Sequence, residues 1–88
     1  MHKKSVFTPT YKQFRSMLVN ARMDAGLTQY DLAKRLERPQ SFVSKFERGE
    51  RRLDVVEFLD VAQAVGFDPI VFLKKLMRSG QWIKTKRR

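Results

Sequence analysis

Residues 27–49, LTQYDLAKRLERPQSFVSKFERG, decide the fold. Thr28 can cap a helix with Asp31 reaching back to it, and Leu27 and Leu32 bracket that start as an apolar pair. The periodic pattern stops at Leu36. A second helix follows Pro39 and closes at Gly49, which can take the left-handed cap. On a 3.6-residue helix, Gln40, Ser41, Ser44, Lys45 and Arg48 share one face, while Val43, Phe46 and Glu47 share the other. A solvated helix would explain the outward amides, hydroxyls and cations equally well, so the rest of the chain must decide their role. The inward Glu47 is more telling, because a carboxylate buried without a partner costs several kcal/mol.

The same boundary signals recur outward from this stretch. Asp54, with Glu57 at the third helical position, caps one further helix between Leu53 and Phe58. Asp68 caps another between Phe67 and Phe72, with Pro69 at the first position, where its missing N–H is harmless. Gly26, Gly49, Gly66 and Gly80 serve as stops. The spacing predicts helices over about 10–25, 28–36, 40–48, 54–65 and 68–79, with no convincing strand. The expectation is a compact all-α domain of five helices over 10–79, between a basic arm (1–9) and a basic tail (80–88). Phe14, Met17, Leu18 and Ala21 form the inner stripe of the first helix, and Leu32, Ala33 and Leu36 that of the second. Val43 and Phe46 serve the third; Phe58, Leu59, Ala62 and Val65 serve the fourth. The first and third stripes should meet, which makes Arg22 the best-placed partner for Glu47.

Composition narrows the function classes. With 19 Lys+Arg against 9 Asp+Glu, the 88-residue chain carries a formal charge of +10 and a pI near 10.6. Such an imbalance most often serves attraction to a polyanion, whether DNA, RNA or an anionic membrane. No cysteine is present, which excludes disulfides and thiolate metal sites. No apolar run approaches the ~18 residues needed to span a bilayer, and the start lacks a signal-peptide core. The cytoplasm is the expected location. The sole histidine is His2, and the carboxylates serve as caps or in the proposed ion pair instead of clustering. No catalytic residue, metal, cofactor or small-molecule ligand is therefore expected, and an enzyme is the weakest reading.

The run R-x-x-A-G-L-T-Q-x-D-L-A-K-R-L from Arg22 to Leu36, followed by PQSFVSKFERGERR, resembles the phage-repressor-like helix-turn-helix regulators of the Cro/CI or XRE type. The resemblance spans roughly residues 11–79. It implies a lambda-repressor-like domain whose third helix lies in the major groove. It also implies the Arg22–Glu47 salt bridge reached above on burial grounds. Carried onto this chain, the pattern makes Gln40, Ser41, Ser44 and Lys45 the base-reading set. Their chemistry suits it: Gln pairs with adenine N6/N7, Lys with guanine O6/N7, and Ser donates or accepts. Gln29 matches a phosphate-contacting position at a helix N-terminus, and Arg51 and Arg52, with Lys34 and Arg48, would grip the backbone. Two departures bear on the turn. Glu37-Arg38 stands where the family often has Gly, so the turn should differ or the second helix should run on. Pro39 replaces the usual Ser/Thr cap and leaves the first N–H groups of the third helix free.

The fifth helix bears more apolar surface than one small core needs. Phe72 and Leu73 are expected to close the domain. Ile70, Leu73, Leu76 and Met77, with Trp82 beyond, are expected to form a homodimer seam, which the family often builds there. A dimer would set two reading helices ~34 Å apart on a palindromic double-stranded operator, and a repressor is the expected regulator. The alternative is an antitoxin or bridging factor that uses the same fold mainly to bind a protein partner. The tail GQWIKTKRR (80–88) could serve that purpose.

Overall fold

The computed structural model describes residues 8–79. These form five helices: α1 Pro9–Asp24, α2 Gln29–Leu36, α3 Gln40–Arg48, α4 Val55–Val65 and α5 Pro69–Arg78. Gly80 and Trp82, both assigned roles from sequence, lie outside the described residues. Every start but that of α3 follows from side-chain capping chemistry. Thr28 Oγ1 accepts from Asp31 N at 3.0 Å while Asp31 accepts from Thr28 N at 2.9 Å. Asp54 and Glu57 repeat this box on α4 at 2.7 and 3.0 Å. Asp68 accepts from Ile70 N and Val71 N on α5. The diffuse start of α1 resolves to Thr8, whose hydroxyl accepts from Tyr11 N, with Pro9 as the first helical residue.

The buried core joins Leu18 of α1, Leu32 and Ala33 of α2, Phe42, Val43 and Phe46 of α3, Phe58, Val61 and Ala62 of α4, and Phe72 of α5. Phe14, Phe58, Phe67 and Phe72 pack as one aromatic cluster, with Phe67 and Phe72 stacked 4.9 Å apart. Two expectations are corrected here. Leu59 is exposed and Val61 takes its core place, because α4 is apolar on most sides and its sequence left the buried stripe ambiguous. Leu73 is likewise exposed, so Phe72 alone closes the domain from α5. Phe42 is buried although sequence periodicity did not place it there.

The turn between α2 and α3 keeps its geometry despite lacking glycine. Helix α2 stops at Leu36, and Glu37 takes the left-handed conformation at φ 58° and ψ 43°. Arg38 N then donates back to Ala33 O at 3.0 Å, closing the helix end. A side chain there costs roughly 1 kcal/mol or somewhat more, and the helix does not run on to avoid it. No described helix is long and apolar enough to cross a membrane.

Candidate nucleic-acid interface

Helix α3 is fixed to the domain from beneath. Arg22 Nε donates to Glu47 Oε2 at 2.7 Å and Arg22 Nη2 to Glu47 Oε1 at 3.0 Å, a bidentate pair that is nearly buried on both sides. Arg22 Nη1 also donates to Leu27 O at 2.8 Å, so one guanidinium ties α1, the loop before α2, and α3. Arg15, one heptad earlier on α1, donates through Nη1 to Glu47 O at 2.8 Å and satisfies a carbonyl in the last turn of α3. Gly49, whose φ is 82°, leaves room for that approach, since a Cβ there would stand 3.0 Å from Arg15 Cζ. Arg35 does the same for α4, donating to Ala64 O at 2.8 Å. Arg15 and Arg35 were not singled out from sequence. The seven-residue spacing of Arg15 and Arg22 on one α1 face was the available signal.

The outward face of α3 presents Gln40, Ser41 and Lys45 exposed, with Ser44 half-buried between them. Ser44 Oγ donates to Ser41 O within the helix at 3.4 Å. Pro39 makes no side-chain cap bond, leaving the N-terminus of α3 without one. Gln29, at the first position of α2, donates through Nε2 to Glu47 Oε1 at 2.9 Å and accepts from Gln40 Nε2 at 3.4 Å. The starts of α2 and α3 therefore touch through two side-chain amides above the buried ion pair.

The cations assigned to phosphate are spread around this face, and several already have partners. Lys34 is exposed, with Nζ 5.6 Å from the Tyr30 ring centre. Arg48 pairs with Glu50 at 2.9 Å on the surface, where both side chains are more than half exposed. Arg52 lies 5.4 Å over the Tyr11 ring. Arg51 is more firmly held. Its two terminal nitrogens meet Glu57 at 2.9 and 2.8 Å, and its guanidinium lies 4.9 Å over the Phe42 ring. Arg38 stacks on the same ring at 4.2 Å and approaches Glu57 at 3.7 Å. The hydrogen bonds from Arg51, joined by that from Asp54 N, lower the Glu57 carboxyl from its ordinary 4.5 to about 2. Ile70, Leu73 and Met77 stand exposed on α5, with Leu76 half-buried beside them. Ile70, Leu73 and Leu76 border an apolar groove of about 570 Å³ that also takes in Tyr11, Val55 and Leu59.

Residues 13–71 match the family model described as a helix-turn-helix domain. Nothing among curated proteins matches the chain. Among solved structures, an XRE-family like protein from Pseudomonas syringae pv. tomato str. DC3000 is 47% identical, with a TM-score of 0.81 over 90% of this chain and 99% of that one. The wild-type restriction–modification controller protein C.Esp1396I is 21% identical, with a TM-score of 0.73 over 81% of this chain and 93% of its own. The same controller as a tetramer in complex with its natural 35 base-pair operator gives 21% identity and a TM-score of 0.72, over 81% and 93% of the two chains. At that identity the controller shares the fold alone. The nearly buried ion pair beneath α3, the turn into it and these matches converge: the chain belongs to the XRE family of helix-turn-helix DNA-binding regulators.

Proposed function

We propose that the protein is a homodimeric repressor that reads a palindromic double-stranded DNA operator with α3 in the major groove. The observation that carries this reading is the outward amide, hydroxyl and ammonium set of α3, on a helix that Arg22 and Arg15 fasten from below. A reading helix must hold its side chains at fixed angles to base edges, and such anchoring supplies that. Gln40, Ser41, Ser44 and Lys45 make the base contacts. Lys34, Arg48, Arg51 and Arg52 hold phosphates. Exposed ion pairs such as Arg48–Glu50 contribute little, so they can yield to a phosphate. The side-chain amide of Gln29 is engaged by Glu47, and its phosphate contact falls to the backbone N–H at the α2 N-terminus. The dimer forms through the exposed α5 residues Ile70, Leu73, Leu76 and Met77, with Trp82 added from the tail, and represses by occupying the operator. DNA is reached in the cytoplasm.

The apolar α5 groove also suits the second reading, in which a different protein covers it. A division of labour among variants tests the DNA reading. Lys45→Ala and Gln40→Ala should each lose roughly tenfold on operator with little change on random duplex, whereas Arg52→Ala should weaken both alike. Equal losses on both duplexes for all three variants would overturn it.

A further inference from the structure

We propose that Arg38 and Arg51 form a ready-made clamp for one DNA phosphate beside α3, with Glu57 of α4 as its positioning residue; the proposal rests on the reading in which α3 enters the major groove. Arg38 stands just before α3 and Arg51 just after it, yet both guanidiniums lie over the Phe42 ring, 4.2 and 4.9 Å from its centre. Both also approach one carboxylate oxygen, Glu57 Oε2, with Arg51 Nη2 at 2.8 Å and Arg38 Nη2 at 3.7 Å. Two cations remote in sequence are thereby held side by side. Glu57 is ionised at neutral pH, since the Arg51 hydrogen bonds lower its carboxyl to about 2. One carboxylate offsets the repulsion between the two cations and leaves the trio with a net positive charge.

The pair stays open to an anion. The Arg38 and Arg51 side chains are 42% and 40% exposed, against 14% for Glu57. Arg51 donates through Nη1 to Glu57 Oε1 and Arg52 O, and through Nη2 to Glu57 Oε2. Its Nε–H and a second Nη2–H remain. The Arg38 approach is too long for a hydrogen bond, so Glu57 takes none of its donors. Position supplies the phosphate. Gln40 and Glu47 fall on one flank of α3, where Gln29 meets them, and Phe42 and Lys45 fall on the other. A helix with its side chains is about 10–12 Å across, and the major groove is about 12 Å wide. A helix seated there runs between two rows of phosphates. The start of α2 faces one row and the Arg38–Arg51 pair the other. Guanidiniums fixed beforehand lose little freedom when a phosphate arrives. The clamp therefore sets the depth and angle of α3 on every sequence alike and reads no base.

Charge and position make opposite forecasts for Glu57→Gln. It removes one negative charge, as does Asp60→Asn, at a residue that borders the same cleft. By charge alone both variants should bind duplex more tightly. With Glu57 as the positioning residue, Glu57→Gln should instead weaken a selected operator and random duplex alike, by roughly fivefold. Asp60→Asn should weaken neither. Arg38→Met touches no helix cap, and its exposed ion pair contributes little to the fold, so it covers the case in which Glu57→Gln is partly unfolded. It should weaken both duplexes by a similar factor and reduce the slope of log Kd against log salt by about one. Added to Glu57→Gln, the same substitution should cost less than it does alone. Tighter binding by Glu57→Gln, an unchanged salt slope in Arg38→Met, or losses confined to the operator would overturn the clamp. A wild type with no affinity for duplex DNA would overturn the reading of α3 itself, and the clamp with it.

Discussion

Glu37 and Glu47 show how differently one residue type can be constrained. Glu47 is buried because Arg22 compensates it in two hydrogen bonds and Gln29 in a third. Removing one partner of such a pair typically costs about 3–5 kcal/mol, since the other charge is left buried. Its inward position was legible from helical periodicity, and the need for a basic partner followed from burial. The link to Gln29 was not, because it depends on how the starts of α2 and α3 meet. Glu37 is an exposed residue held left-handed at φ 58° by the turn that its neighbours impose. Glu37→Gly should therefore stabilise the fold, by about 0.5–1 kcal/mol after allowing for the greater freedom of glycine in the unfolded chain. Urea unfolding of the two proteins measures this, and a destabilised Gly variant would mean that the Glu37 side chain contributes more than its backbone strain costs.

Element boundaries were legible to within a residue or two, because caps are local chemistry: Thr28–Asp31, Asp54–Glu57 and Asp68–Pro69 each mark a start that the structure shows. Burial was less legible where a helix is apolar on several sides. In α4, Leu59 and Val61 are both candidates for the core, and only tertiary packing decides for Val61, which joins the buried cluster while Leu59 stays exposed. Helix α4 also shows a cap acting beyond its own helix. Glu57 accepts from Asp54 N within the box and from Arg51 across the α3–α4 loop. Its folded carboxyl ionises near 2 against an ordinary 4.5, so the unfolded chain takes up the proton first as pH falls. The stabilisation is complete above pH 4.5 and is lost as pH drops toward 2. Glu57→Gln should accordingly be less stable than the wild type at neutral pH, with the gap closing through that acid window. A gap that stayed constant with pH would show that the carboxylate charge plays no part.

For the whole molecule, the net charge of +10 pointed correctly to a basic protein but not to what each cation does. Arg15, Arg22 and Arg35 fasten helix ends and loops. Composition cannot separate such residues from those that face a polyanion, because the difference lies in which carbonyls and carboxylates folding brings near. The apolar surplus of α5 was legible as a pattern, and the structure places Ile70, Leu73 and Met77 in the open. Leu73→Glu should leave the fold intact, since that side chain is 37% exposed. It should also convert a dimer to a monomer in sedimentation equilibrium, with weaker operator binding; an unchanged molecular mass would move the seam elsewhere. In the proposed function, α3 reads sequence as half of a symmetric pair. Its most direct test is selection of random duplex DNA by the full chain, followed by sequencing. A palindromic motif is expected, with half-sites centred about 34 Å, one turn, apart. Tight binding with no enriched motif would contradict it and reduce α3 to a phosphate-holding surface.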